Sequence, residues 1–204
     1  MRQLVGEGRY ASIPLKDFGK DFMLEPLIRT TSVIVDENDV GTYIDKAANL
    51  KAVITGDTIQ VNRKFKVPIS FKFKGFMVQC LNEMPRVKDK SDSFYIRQLF
   101  IPFTKCFTGA ERKYIKDDYL KRKEVVEYVM YKVLNMNYYE FDAPEVCKTA
   151  LEEYKEFNDP VRQFMAEIMP QLQWDFVPFT FLYDLYKEWY KKYIGKQEVK
   201  SLQV

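Results

Sequence analysis

Histidine is absent from all 204 residues. Without an imidazole there is no Ser/His/Asp or Cys/His nucleophilic relay, no histidine-ligated zinc and no histidine general base. Cysteine is scarce: Cys80, Cys106 and Cys147 are widely separated and form no CxxC pair, which argues against a disulfide framework or a thiolate metal site. Cys80, inside the apolar run from Phe76 to Leu81, is expected to be a buried thiol that packs as a small hydrophobe. No apolar run approaches the roughly 20 residues of a membrane-spanning helix. The opening MRQLVGEGRY lacks the basic-then-apolar layout of a secretory signal, so the expected location is the cytoplasm, with no membrane partner.

The residues that are present, 47% hydrophobic and 30% charged, describe a globular chain rather than a disordered or fibrous one. The formal charge of +3 hides an uneven distribution. Residues 1–140 carry 24 Lys+Arg against 18 Asp+Glu, a net +6, while residues 141–204 carry 8 against 11, a net −3. No acid occurs between Asp57 and Glu83, yet Arg63, Lys64, Lys66, Lys72 and Lys74 all lie there. Such a strip is either a phosphate-contacting surface or a solvated strand face.

Local patterns divide the chain. Leu4-Val5 followed by Gly6 and Gly8 reads as the last turn and stop of a helix, and on this reading the chain starts in mid-domain. The run Thr31 to Val35 predicts a buried parallel strand that delivers Asp36 and Glu37 at its C-terminal end, the edge where open α/β sheets bind ligands. Thr42 and Asp45 suggest a capping box for a helix over about residues 43 to 54, closed by Gly56. Residues 57–74, where Ile69, Phe71 and Phe73 alternate with Ser70, Lys72 and Lys74, predict a basic hairpin. Residues 75–81 predict a more apolar strand leading to Asn82, and Leu99-Phe100-Ile101 a further one. From Asp117 onward the period becomes helical. One helix carries Val125, Val126, Val129, Met130, Val133 and Leu134, a second follows Pro144, and a third is capped by Asn158-Asp159-Pro160 and ends at Pro170. The last starts near Thr180, stops at Gly195, and has Leu182, Leu185, Tyr186, Trp189 and Tyr193 as a core-facing stripe.

Three features bear on chemistry. An apolar strand ending in Asp36-Glu37 suits a nucleotide hydrolase, because an Asp can hold magnesium through its water shell while a Glu orients and deprotonates the attacking water. Many strands end in acids only because the next turn is solvated. An amide at a neighbouring strand tip, here Asn82, can hold that water without adding charge, although an Asn in a turn before Pro85 is also ordinary. Arg97 stands alone among large apolar residues, so it is either salt-bridged or offered to a phosphate on a neighbouring subunit.

The order of these blocks resembles the superfamily III helicase domain of phage and plasmid primase-helicases. The resemblance rests on Thr31–Asp39, Lys51–Asp57, Arg63–Lys66, Cys80–Arg86 and Asp92–Phe103, and continues through Glu153–Phe164 and Tyr183–Trp189. It implies an α/β class fold: a partial AAA+-like ATPase core over residues 1–115, a helical linker over 116–157, and a small winged-helix-like domain over 158–204. It also implies ATP-driven DNA unwinding in a replicating mobile element, by a homo-oligomer, a hexamer in the intact protein, that contacts replication proteins through its C-terminal domain. By position, Asp36 would face magnesium through water, Glu37 the attacking water, Asn82 the γ-phosphate, and Lys51 the nucleotide cofactor. Arg97 would act as a finger across a subunit boundary. Arg63, Lys64 and Lys66 would line the hairpin that meets single-stranded DNA in the ring channel. The family's usual second finger Arg is replaced by Ile96.

The family's phosphate-binding loop, GxxxxGK followed by Ser or Thr, is missing: neither Gly19-Lys20 nor Gly195-Lys196 has the required neighbours. The expectation is therefore a C-terminal piece of a helicase that holds neither ATP nor Mg2+ by itself, the alternative being a non-catalytic DNA-binding or protein-interaction module.

Overall fold

The computed structural model describes residues 1–193 other than 40, 111, 141 and 175. The chain separates into two compact units, residues 1–150 and 151–204.

The first unit opens with a single helical turn, α1 (Arg2–Val5), which ends at Gly6 in a backbone conformation open to glycine (φ 91°). Strand β1 (Tyr10–Ala11) follows, and then β2 (Ser32–Val35), in which every residue is buried. A short pair, β3 (Tyr43–Ile44), precedes helix α2 (Ala48–Thr55), after which come β4 (Thr58–Arg63), β5 (Lys66–Lys72), β6 (Phe76–Gln79) and β7 (Arg86–Val87). The central sheet has the order β1-β2-β6 and is parallel throughout, with Ser32 opposite Phe76 and Val35 opposite Gln79. Parallel pairing points the C-terminal ends of β2 and β6 to the same edge. Residues 36–39 and 80–83 leave the sheet there.

Two features hold this sheet in register. At Gly75, just before β6, a Cβ would stand 2.1 Å from the Thr31 carbonyl oxygen and 2.6 Å from the Phe73 ring, so only glycine admits that approach. At the opposite end, the buried Asn38 amide accepts from Leu15 N (3.0 Å) and donates to Gln79 Oε1 and the Cys80 carbonyl (3.0 Å each). Gln79 in turn donates to the Ile13 carbonyl. Ile13, Phe18, Leu27, Val33 and Val61 form the most deeply buried part of the core.

Strands β4 and β5 form the expected hairpin, antiparallel with Ile59 opposite Phe71 and Val61 opposite Ile69. The helix expected over 43 to 54 is shorter. The Thr42 hydroxyl donates to the Asp39 carbonyl instead of capping, and Tyr43-Ile44 pair in parallel with Arg86-Val87, so the helix begins only at Ala48; Gly56 closes it in the left-handed region (φ 70°). The strand expected at Leu99 to Ile101 is absent. Asp92–Tyr95 form the short helix α3, and residues 99–106 form neither helix nor strand, with Pro102 among them offering no amide proton. Cys80 is exposed rather than buried, because β6 is an edge strand of a three-stranded sheet and the thiol lies beyond its end; Cys147 is the buried one.

The helical part of this unit comprises α4 (Lys113–Asp117), α5 (Lys123–Leu134) and the start of α6 (Glu145–Asn158). Helix α5 forms where its period predicts, yet none of its residues is buried, and Tyr131, Val133 and Leu134 stand in solvent.

The second unit contains the rest of α6, then α7 (Pro160–Ile168) and α8 (Phe179–Tyr193). Asp159 caps α7 as its sequence suggests, accepting from Val161 N and Arg162 N with Pro160 in the first turn. The α8 stripe is only partly core: Trp189 is buried, Leu182, Leu185 and Tyr186 are half-buried, and Tyr193 is exposed. Phe164 meets Tyr186 and Trp189 edge-on at 5.3 and 5.7 Å, and the Trp189 indole N–H donates to Glu167 Oε2 at 2.8 Å. Burial pushes the Tyr186 phenol up from its ordinary pKa. Residues 151–193 form helices and connecting turns with no strand among the described residues; the predicted stop at Gly195 lies outside them.

Candidate functional site

Asp36 and Glu37 emerge from the buried β2 strand onto the open edge of the sheet, both exposed. Asn82 emerges from the neighbouring β6 strand, and its Nδ2 donates to Glu37 Oε1 at 3.1 Å. The structure thus brings together two residues 45 positions apart through parallel pairing alone. Asp36 is held differently. Arg2 of α1 places Nη1 2.8 Å from Asp36 Oδ2, donates from Nη2 to the Ile34 carbonyl at 3.1 Å, and lies over the Tyr10 ring at 5.1 Å. No sequence motif flagged Arg2. Its signal was only that the residue belongs to a helical turn just ahead of the strand that leads into the sheet.

The same edge carries further acids in defined pairs. Asp39 is bound to Lys16, whose hydrogen bond holds the carboxyl below its usual range. Glu83 Oε2 accepts from Gly41 N at 3.1 Å, tying the two loops that follow β2 and β6. Asn38, the buried amide between Glu37 and Asp39, fixes the backbone from which those carboxylates project. Its role was not legible from sequence, where it reads as one more turn residue.

Lys51 lies on α2 away from these contacts and donates to Asp89 Oδ2 at 2.7 Å. With Ser91 N and Oγ also donating to Asp89, its carboxyl is lowered to about 2, chiefly by the Lys51 bond and then by Ser91. Arg97 follows α3 and is half-buried. Its Nε and Nη1 are shielded from solvent and have no hydrogen-bond partner. Of the two readings of this Arg, the salt-bridged one finds no ion pair among the described residues.

The predicted basic hairpin places Lys64 and Phe65 at its tip. Lys64 and Lys66 are exposed, whereas Arg63 folds back, its Nε and Nη2 donating to the Val67 carbonyl at 3.2 and 2.8 Å. Arg63 therefore braces the turn as well as adding charge. Phe65, not singled out from sequence, is 95% exposed.

Magnesium is commonly held by one or two carboxylates together with substrate phosphates and water, and Asp36 suits that role. Among the described residues no three His, Cys, Asp or Glu side chains gather into a metal-ligand group, and the sequence has no loop to grip the phosphates. Asp36 and Glu37 fit the acidic side of a nucleotide site, and no GxxxxGK motif of the sequence supplies the side that would hold the phosphates. No helix among the described residues is long and apolar enough to cross a membrane.

Comparison with known proteins gives two separate matches. Residues 1–97 match a family of unknown function, DUF5906, and residues 156–201 match the poxvirus D5 protein-like family. No curated protein matches the chain. The first match spans the parallel sheet, the acidic edge and the basic hairpin; the second spans the end of α6 and all of α7 and α8. The second, short as it is, is consistent with a superfamily III helicase-like, primase-helicase type of protein.

Proposed function

We propose that this chain carries the acidic sheet edge and the DNA-facing hairpin of a superfamily III type replicative helicase, and that by itself it binds single-stranded DNA without hydrolysing ATP. The observation that carries this reading is the Asn82–Glu37 contact across parallel strand ends. It sets an amide beside the carboxylate that would orient water in a complete ATPase. In such an assembly Asp36 would face Mg2+, Glu37 would take the proton of the attacking water, and Arg97, with two unpartnered nitrogens, would offer charge to a neighbouring subunit's phosphates. ATP bound in such an assembly would supply the driving reaction, and this chain's part would be to position the acids and hold the strand. The unpaired Arg97 supports the finger role, since a structural Arg would be expected to have a partner. A ring of identical subunits and contacts made by the C-terminal helices with replication proteins belong to the same reading.

The test is fluorescence anisotropy of a labelled single-stranded oligonucleotide across a salt series, with wild type and the double variant Lys64→Ala/Lys66→Ala. If both lysines meet phosphates, the log–log salt slope falls by about 1.4 in the double variant, at roughly 0.7 per contact for single strands. An unchanged slope removes the hairpin from the DNA site.

A further inference from the structure

The hairpin tip contains a residue whose placement costs stability and yields no internal packing. Phe65 adopts φ 58°, the left-handed region that glycine and asparagine enter readily and bulky side chains rarely do. Strain of this kind is retained where the surrounding structure or the function demands it. Packing does not account for it, because the ring is 95% exposed and its neighbour Val67 is 77% exposed. The ring touches one charged group: Lys64 Nζ lies 5.4 Å from its centroid. Lys66 follows directly, and no acid occurs from residue 58 to residue 82. An exposed aromatic ring with one ammonium over it and a second lysine next in the chain, at the tip of a hairpin whose own residues include no acid and which meets the Asp21 carboxylate at Asn62, matches the chemistry of a nucleobase attached to a phosphate backbone.

We propose that Phe65 is a base-stacking residue: its ring stacks on one unpaired nucleobase of a single strand while Lys64 and Lys66 contact the flanking phosphates. The proposal rests on the DNA-binding reading of the hairpin and adds to it the recognition of the base. Single-stranded nucleic acid is favoured over duplex because stacking needs a base that is not already covered on both faces. Binding is indifferent to sequence, since every base offers a π-face.

The experiment uses the full chain and two labelled oligonucleotides of equal length, one of thymidines and one in which the central nucleotides are abasic. Stacking of one base is worth about 1–3 kcal/mol, so Phe65→Ala weakens binding to the thymidine strand by roughly 5- to 160-fold with the salt slope unchanged. Phe65→Trp retains affinity and Phe65→Leu does not. On the abasic strand wild type and Phe65→Ala bind alike. Thermal unfolding of each variant shows that the fold is kept. Equal binding of Phe65→Ala and wild type to thymidines overturns the proposal; if Lys64→Ala/Lys66→Ala still lowers the slope, the hairpin nonetheless remains the DNA site. Absence of single-strand binding by wild type overturns both readings. An equal loss on the two strands, or a change in oligomeric state with no change in DNA affinity, assigns the ring to a different contact and overturns the stacking role.

Discussion

The Asn82 amide donates to Glu37 Oε1 at 3.1 Å, from the tip of one parallel strand to the tip of its neighbour. Both side chains are exposed, so the bond contributes little to folding. Asn82→Ala and Glu37→Gln should each change unfolding free energy by less than about 0.5 kcal/mol, measured by denaturant titration. A loss of several times that value would show the pair to be structural. The chain should also release negligible phosphate from ATP, because its sequence contains no GxxxxGK loop to grip the β and γ phosphates. Magnesium-dependent turnover that disappears in Glu37→Gln would reveal a phosphate site outside the recognised pattern.

Arg97 should be a stability liability. Its Nε and Nη1 are buried without partners, and an unsatisfied buried donor costs on the order of 1–3 kcal/mol. Arg97→Met, which keeps the stem and removes the orphaned nitrogens, should therefore leave unfolding free energy unchanged or raise it by about 1 kcal/mol. A marked destabilisation on chemical denaturation would mean that the guanidinium is paired within the fold.

Lys51 and Asp89 predict a pH dependence with a definite sign. The Asp89 carboxyl is lowered to about 2 from 3.8, so its folded form is favoured while ionised. That stabilisation is present above the unfolded value of 3.8 and is lost as pH falls through about 2. Lys51→Ala removes the largest contribution. It should cost about 1 kcal/mol at neutral pH, and the difference from wild type should vanish near pH 2, followed by denaturant unfolding across pH. A mutational cost independent of pH would place the role of Lys51 elsewhere.

Gly75→Ala should be among the most damaging small substitutions. The added methyl meets the Thr31 carbonyl oxygen at 2.1 Å, a backbone atom that cannot swing away. Overpacking of this sort typically costs about 1–3 kcal/mol or more, and the cost falls where β2 enters the sheet. Thermal unfolding of the variant should show a clear drop in midpoint, and a midpoint equal to wild type would mean that the loop before β6 adjusts freely.

What was legible in the sequence follows from local periodicity. The buried run Ser32 to Val35, the alternating hairpin around Ile69 and Phe71, the αL stop at Gly56 and the Asp159 cap each depend on a few adjacent residues, and each formed as its pattern indicates. The misreadings involve distant partners. Thr42 and Asp45 have capping spacing, but pairing of β3 with β7 outcompetes the first helical turn. Leu99 to Ile101 have strand composition but no strand beside them. At the candidate site, the acids and Asn82 could be found from strand ends, whereas Arg2 and Asn38 could not, since their partners are fixed only when the sheet assembles. The Lys51–Asp89 pair was missed for the same reason.

The Asn38 clasp also limits how acidic the edge can become. Residues 36–39 read Asp-Glu-Asn-Asp, and the one neutral member is the one whose nitrogen faces two oxygens, those of Gln79 and Cys80. A fourth carboxylate at that position would turn a donor into an acceptor among acceptors, buried and surrounded by like charge. Three acids can therefore fan outward from a turn whose fourth side chain must stay an amide. Deamidation at this one position would be a change of a single atom that releases the loop from the sheet.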